Sequence, residues 1–344
     1  MQLSPSQRRS LLFATGLLFL VGVLFICSFG YYLMSPAEKD GQDQLFLVRQ
    51  GSTLKEVAGE LNRKRIIAGK SLFLLWARLM GHGTEIKAGE YMLNPGMPPL
   101  RILSILRKGA VVTHPVTIPE GFTRKQIGAV LEQKGLVNRK EFSALTGDTE
   151  IVRRYGISGA SLEGYLYPDT YQFVRGLPAM SVINTMVRRF LEIVEPFRER
   201  MKQLDMAIEE VVTLASIVEK ETGRAEERPL IASVFLNRLE KNMRLESDPT
   251  VIYGLKQFDG NLTREHLSRK TAYNTYIIRG LPPGPISNPG KEAIRAVLYP
   301  AESNYLYFVS KNDGSHYFSE TLSEHNKAVE FYQKKRRGTR GKTT

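Results

Sequence analysis

One carboxyl at the end of an apolar run is the feature of this sequence best suited to chemistry. Residues 211–222 read VVTLASIVEKET, and Val211, Leu214, Ala215 and Val218 recur at helical spacing. That spacing predicts an amphipathic helix packed on a core. Glu219 stands one turn after Ala215 and Ser216 and two turns after Val212, so its nearest neighbours are small or apolar. A carboxyl on such a face loses hydration, and its pKa rises toward the range where it can donate a proton near neutral pH. Glu221 lies about 200° around the same helix, on the face expected to meet solvent beside Lys220 and Arg224. The same pattern also fits a glutamate that merely ends a helix beside Lys220, and periodicity alone does not separate the two.

A second carboxyl, Glu163, sits in SLEGYLYPDTYQF (residues 161–173) with Tyr165, Tyr167 and Tyr171. Tyrosines beside a carboxylate suit a sugar site, because rings stack on pyranose faces while polar groups bond the hydroxyls. A strand with alternating buried tyrosines reads equally well, and Pro168-Asp169 marks a turn. Residues 280–290 read GLPPGPISNPG, with four prolines and three glycines. Neither helix nor sheet absorbs that composition, so a rigid loop is expected, of the kind that walls a groove.

The elements around these residues follow from the rest of the chain. Its 344 residues are enough for more than one core. The net charge of +13, from 48 basic against 35 acidic residues, suits an anionic partner. There is no zinc-finger spacing and no aromatic-rich basic motif, so nucleic acid is not the expected partner. Part of the excess lies in a basic tail, residues 334–344, expected to be disordered. The single cysteine, Cys27, excludes an intramolecular disulfide and a cysteine metal site. His82, His114, His266, His316 and His325 are scattered, so no metal and no cofactor are expected.

Residues 1–10 carry Arg8 and Arg9, and residues 11–34 contain no charged side chain and end with Tyr31-Tyr32. That is long enough to span a bilayer and longer than a signal-peptide core. Glu38, Asp40 and Asp43 follow it. The asymmetry predicts an uncleaved single-pass anchor in the inner (plasma) membrane, with residues 1–10 cytoplasmic and the rest extracytoplasmic. A polar tether, residues 35–44, leads to a strand over 45–49 and a helix capped by Ser52 with Leu54, Val57, Ala58 and Leu61 on its apolar face. Further elements are a helix over 71–80 with the only tryptophan, Trp76, a strand over 90–93, and a helix over 99–107 ending at Gly109. A similar unit recurs 70 residues on, aligning Gly51 with Gly121, Thr53 with Thr123, Lys55 with Lys125, Val57 with Ile127 and Leu61 with Leu131. The first copy resembles a LysM module, a small βααβ glycan-binding domain. Beyond it the pattern predicts helices over 182–198, 226–242 and 291–298, and a strand over 305–310 with a hairpin partner at 316–318.

Taken together, ASIVEKET (215–222), SLEGYLYPDTY (161–171), DPTVIYG (248–254), TAYNTY (271–276), GLPPGPISNPG (280–290) and YLYFV (305–309) resemble the YceG-like family of endolytic murein transglycosylases. The resemblance covers anchor, LysM-like module and catalytic region in that order, and only the basic tail departs from it. It implies that Glu219 is the catalytic acid and that the substrate is the β-1,4 bond from N-acetylmuramic acid to N-acetylglucosamine within nascent glycan strands. The products then carry 1,6-anhydro ends, because the sugar's own 6-hydroxyl is the nucleophile and no second carboxylate is required. Glu163 is then a positioning or a structural group. Tyr165 lines the sugar site, Ser216 orients Glu219 or bonds back to its own helix, and Asn274, Thr275 and Tyr276 are groove contacts, with Asn274 equally suited to a turn. The implied partners are peptidoglycan strands, the membrane and cell-wall synthases.

The expected fold is α+β: an anchor over 11–34, a LysM-like module over 45–112 and a catalytic domain over 113–333. Residues 113–150 are either a second LysM-like module or, as preferred here, part of the catalytic domain. Two other readings stay open: a muramidase-type hydrolase in which Glu163 assists water, and a non-catalytic glycan-binding scaffold for cell-wall synthesis.

Overall fold

An apolar helix, α1 (Pro5–Met34), begins the described part of a computed structural model that covers residues 5–81 and 86–335. Residues 1–4, residues 82–85 with His82 among them, and residues 336–344 of the basic tail lie outside it. The segment Leu11–Met34 is long and apolar enough to cross a membrane, and its most apolar stretch is not covered by the rest of the protein.

Two compact units follow from the contacts: Met1–His114 with Gln172–Leu177, and Pro115–Tyr171 with Pro178–Thr344. In the first, β1 (Gln44–Val48), α2 (Leu54–Arg63), α3 (Lys70–Leu79) and β2 (Gly89–Leu93) form a βααβ unit, closed by α4 (Pro99–Lys108). β1 and β2 pair antiparallel with Phe46 opposite Tyr91. Both are fully buried, with Leu61, Ile66, Phe73 and Ile102 in the same core. The cap of α2 is Thr53 rather than Ser52. The Thr53 hydroxyl accepts the Glu56 N–H while the Glu56 carboxylate accepts the Thr53 N–H. A glutamate three residues on completes this reciprocal box only from Thr53, which moves the helix start by one residue.

The second unit contains most of a recurrence of the same order, β3 (His114–Thr117), α5 (Arg124–Gln133), α6 (Arg139–Thr146) and β4 (Thr170–Phe173), with a short α7 (Thr149–Arg154) inserted before the last strand; only His114 and Gln172–Phe173 of these strands belong to the first. β3 and β4 pair in their own two-stranded sheet. Thr123 caps α5 through the same box, with Gln126 in the glutamate's place. The remaining elements are α8 (Ala179–Val194), α9 (Arg198–Gln203), α10 (Ile208–Glu221), α11 (Arg228–Glu240), α12 (Asp248–Gly254), α13 (Arg264–Ser268), α14 (Lys291–Leu298), the hairpin β5 (Tyr307–Ser310) and β6 (His316–Ser319), and α15 (Leu322–Val329). The helix expected over 182–198 is broken in two because Pro196 cannot continue the hydrogen-bond ladder. Phe308 faces Phe318 across the hairpin expected at 305–310 and 316–318.

At the centre of this unit, α10 packs on α11, α12 and α14. Every residue from Val211 to Val218 is buried, so the helix has no solvent face over two turns. The amphipathic reading is corrected accordingly: a helix apolar nearly all round is surrounded on all sides. Glu221, just past this run, is only partly exposed.

Candidate active site

Position 219 is where the buried helix meets the Pro/Gly loop. The Glu219 side chain is only 5 % exposed. One carboxylate oxygen accepts the backbone N–H of Gly290 at 2.9 Å, and the other accepts Nη2 of Arg228 at 2.9 Å. The same Arg228 nitrogen lies 3.4 Å from the carboxylate of Glu120. That carboxylate rests over Gly290, where a Cβ would come within 1.9 Å of its oxygen, so the glycine admits it. Gly121, in the left-handed region at φ 74°, turns the chain here, and a Cβ on it would meet the Glu219 side chain at 3.5 Å.

Burial is the largest influence on Glu219 and pushes its carboxyl above the usual range. The Gly290 N–H and Arg228 pull the other way, while the neighbouring Glu120 charge adds to the rise. The net direction is upward. A carboxyl so placed keeps its proton to higher pH than a free glutamic acid, and two donors aimed at its oxygens can stabilise the anion once the proton leaves. Its setting is thus polar on one side, not apolar throughout as the helix pattern implied.

Glu163 is 3 % exposed and forms the floor of a cavity of about 560 Å³, whose walls include Arg124, Lys220, Tyr253 and Ile286. It accepts three hydrogen bonds: from Arg124 N–H (2.8 Å), the Asn288 amide (3.0 Å) and the Tyr253 hydroxyl (3.1 Å). Burial pushes its pKa up to about 7 against the pull of those donors. Through Asn288 the two carboxyl environments share a scaffold. Asn288 exchanges backbone bonds with Gly121 and Phe122, and its side chain accepts the Leu166 N–H. The loop over 280–290 is therefore fixed to the turn before α5.

Ser216 is fully buried; its hydroxyl donates to the Thr213 carbonyl and accepts the Ile286 N–H at 3.0 Å. It fastens the loop to α10, and its bonds do not run to Glu219. Tyr165 is 1 % exposed and packs edge-on against Phe190. Asn274 and Thr275 are fully buried. Asn274 bonds the carbonyls of Leu267 and Arg269, while the Thr275 hydroxyl accepts the Ser247 N–H. None of these four residues lines the cavity.

Tyr276 belongs elsewhere. Its hydroxyl donates to Asp248 at 2.7 Å, beside a second cavity of about 470 Å³ lined by Glu221, Arg238, Glu246 and His316. Glu221, expected to face solvent, instead accepts a hydrogen bond from Ser247, and burial pushes it up to about 7. Glu219 and Glu221 thus serve two separate polar clusters. Among the described residues, no group of three His, Cys, Asp or Glu is placed to hold a metal ion.

Sequence reasoning missed Glu120, Arg228 and the Gly290 N–H. Only Glu120 left a signal, since it takes the place of Gln50 when the two repeat copies are aligned.

Comparison with known proteins identifies the family. Residues 46–331 match the model of the YceG-like family. An endolytic murein transglycosylase of Bacillus subtilis strain 168 is 33% identical over 334 residues, covering 91% of this chain and 91% of the relative. An endolytic murein transglycosylase of Streptococcus pneumoniae serotype 2 is 30% identical over 314 residues, covering 82% of this chain and 57% of the longer relative. The crystal structure of a yceG-like protein from Listeria monocytogenes is 34% identical, with a TM-score of 0.59, and covers 84% of this chain and 100% of that one.

Proposed function

This chain belongs to the YceG-like family, and we propose that it is an endolytic peptidoglycan lytic transglycosylase with Glu219 as its acid. The observation that carries the assignment of the acid is the buried Glu219 carboxyl, raised by desolvation and held by Gly290 and Arg228. Protonated Glu219 donates to the glycosidic oxygen as the bond from the muramic acid carbon breaks and positive charge builds on that carbon. The resulting carboxylate then accepts the proton of the same sugar's 6-hydroxyl, whose oxygen closes the 1,6-anhydro ring. The proton count balances without water, so one carboxyl serves both steps.

Glu163 acts as a positioning group. Three donors already occupy its oxygens, which favours a fixed acceptor at the cavity floor over a base that must find and activate water. The βααβ unit of residues 44–93 is a LysM-like glycan-binding module, and 113–333 is the catalytic domain. Leu11–Met34 is a single-pass anchor with its N-terminus in the cytoplasm, supported by Arg9 before it and Glu38, Asp40 and Asp43 after it. The anchor keeps the enzyme near emerging strands and the synthases that make them.

The test is mass spectrometry of fragments released from purified glycan strands by the detergent-solubilised full chain. Anhydro ends are expected. Free reducing ends would replace this reading with hydrolysis, and intact strands that remain bound would replace it with a scaffold.

A further inference from the structure

The two copies of the βααβ unit differ most in their second helix. In the second copy, α6 begins with Arg139, Lys140 and Glu141, all exposed, and its one large apolar anchor, Phe142, is buried. In the first copy, α3 reads KSLFLLWARL. Phe73 and Ala77 are buried in the core, Leu74 and Trp76 pack against it while staying partly exposed, Leu72 and Leu75 are half-buried, and Leu79 and Met80 are left 66% and 45% exposed. An apolar helix end left bare on a small module needs a cover.

Its attachment to α1 indicates what covers it. The Tyr32 hydroxyl, near the end of α1, donates to the Gly69 carbonyl at the start of α3, at 2.6 Å. Trp76, two turns further along α3, sits edge-on to Phe29, with ring centroids 6.2 Å apart. Phe29 precedes Tyr32 by three residues, or about 4.5 Å of helix rise. As α3 advances, it therefore moves back along α1 toward the middle of the apolar span. Leu33, at the end of α1, is buried at 7% exposure. Leu79 and Met80 lie beyond Trp76, on the side of the apolar span. α4 also packs on α1, and it carries Leu100, 40% exposed, next to the exposed Arg101. Arg78 is exposed beside Leu79. Apolar tips flanked by arginines on a helix beside a membrane span are the pattern of an interfacial element, with guanidinium groups reaching anionic headgroups.

We propose that the C-terminal half of α3, with Trp76, Leu79 and Met80, is inserted into the extracytoplasmic headgroup–acyl boundary of the bilayer, so that the first module is seated on the lipid surface and does not swing on a tether. This rests on the reading of α1 as the membrane span.

Trp76 is the only tryptophan, so its emission reports on this position alone. The full chain is reconstituted into vesicles of phosphatidylethanolamine and phosphatidylglycerol whose acyl chains carry bromine either near the glycerol or near the terminal methyl. The expected result is co-flotation with the vesicles and a loss of about half or more of Trp76 emission with glycerol-proximal bromine, as for a ring at the interface. Terminal bromine and aqueous iodide should quench it weakly. The double change Leu79→Asp and Met80→Asp, at exposed positions, should leave flotation intact and reduce the bromine quenching at least twofold. Flotation with iodide quenching but no bromine quenching would overturn the inference while leaving the anchor standing. Unchanged bromine quenching in the double variant would overturn it as well. Absence of flotation would overturn the anchor reading, and this inference with it.

Discussion

The two βααβ copies share a frame and differ in what their turns carry. Gly51 and Gly121 both adopt left-handed φ, at 80° and 74°. Thr53 and Thr123 both cap through a reciprocal box. Val57 and Ile127, Leu61 and Leu131, and Phe73 and Phe142 are buried in both copies. The turn of the first copy holds Gln50, whereas that of the second holds Glu120, whose carboxylate meets Arg228 beside Glu219. The N–H that opens α5 is bonded to Glu163. On a shared frame, the turns of the two copies thus differ in a few polar groups.

The largest test of that difference is Arg228→Met. It leaves the buried Glu219 carboxylate without its cationic partner, so unfolding free energy at neutral pH should fall by roughly 2–4 kcal/mol in denaturant titration. The falling limb of the kcat/KM profile should also move to higher pH, because a charge that lowers the Glu219 pKa is gone.

A second test concerns Glu163. Its folded pKa of about 7 lies above the ordinary value of 4.5, so the fold favours its protonated form. That contribution to stability is complete below about pH 4.5 and is lost as pH rises through about 7. Glu163→Gln should therefore flatten the decline in stability across that window, by on the order of 1–3 kcal/mol. An unchanged pH slope would show that Glu163 titrates normally.

The caps give a paired comparison of smaller size. Thr53→Ala and Thr123→Ala should each cost about 1 kcal/mol of stability. Only Thr123→Ala should also slow strand cleavage, because its turn adjoins both carboxyls. Equal effects of the two on activity would erase the distinction between the copies.

The smallest effect is electrostatic. Glu120→Gln removes a like charge from beside Glu219, so the falling limb should move to lower pH. The mirrored change, Gln50→Glu, should move it not at all.

What was legible in the chain was local. The α10 pattern, the Pro/Gly loop, the β5–β6 hairpin and the repeat each declare themselves within a window of a few residues, through periodicity or turn chemistry. What was illegible depended on distant partners. Glu219 meets Gly290 71 positions on, and Arg228 reaches Glu120 across 108. Nothing near Arg228 marks it as a partner of a carboxyl. The direction of Glu221 is not legible locally, because the pattern suggests one wet face and α10 has none over Val211 to Val218. Aromatic and amide residues singled out for their chemistry, Tyr165 and Asn274 among them, lie in the interior at 1% and 0% exposure. Their residue types suit a sugar and a buried hydrogen-bond network equally, and only burial tells the two apart.

The central claim is that the Glu219 proton drives the cleavage. Its most direct test is single-turnover cleavage of purified glycan strands by the full chain and by Glu219→Gln, with strand binding measured alongside. Anhydro-product formation by Glu219→Gln should be slowed by about 10²–10⁴-fold at unchanged binding, the range for loss of a general acid. Cleavage by Glu219→Gln at the wild-type rate would contradict it and place the acid elsewhere.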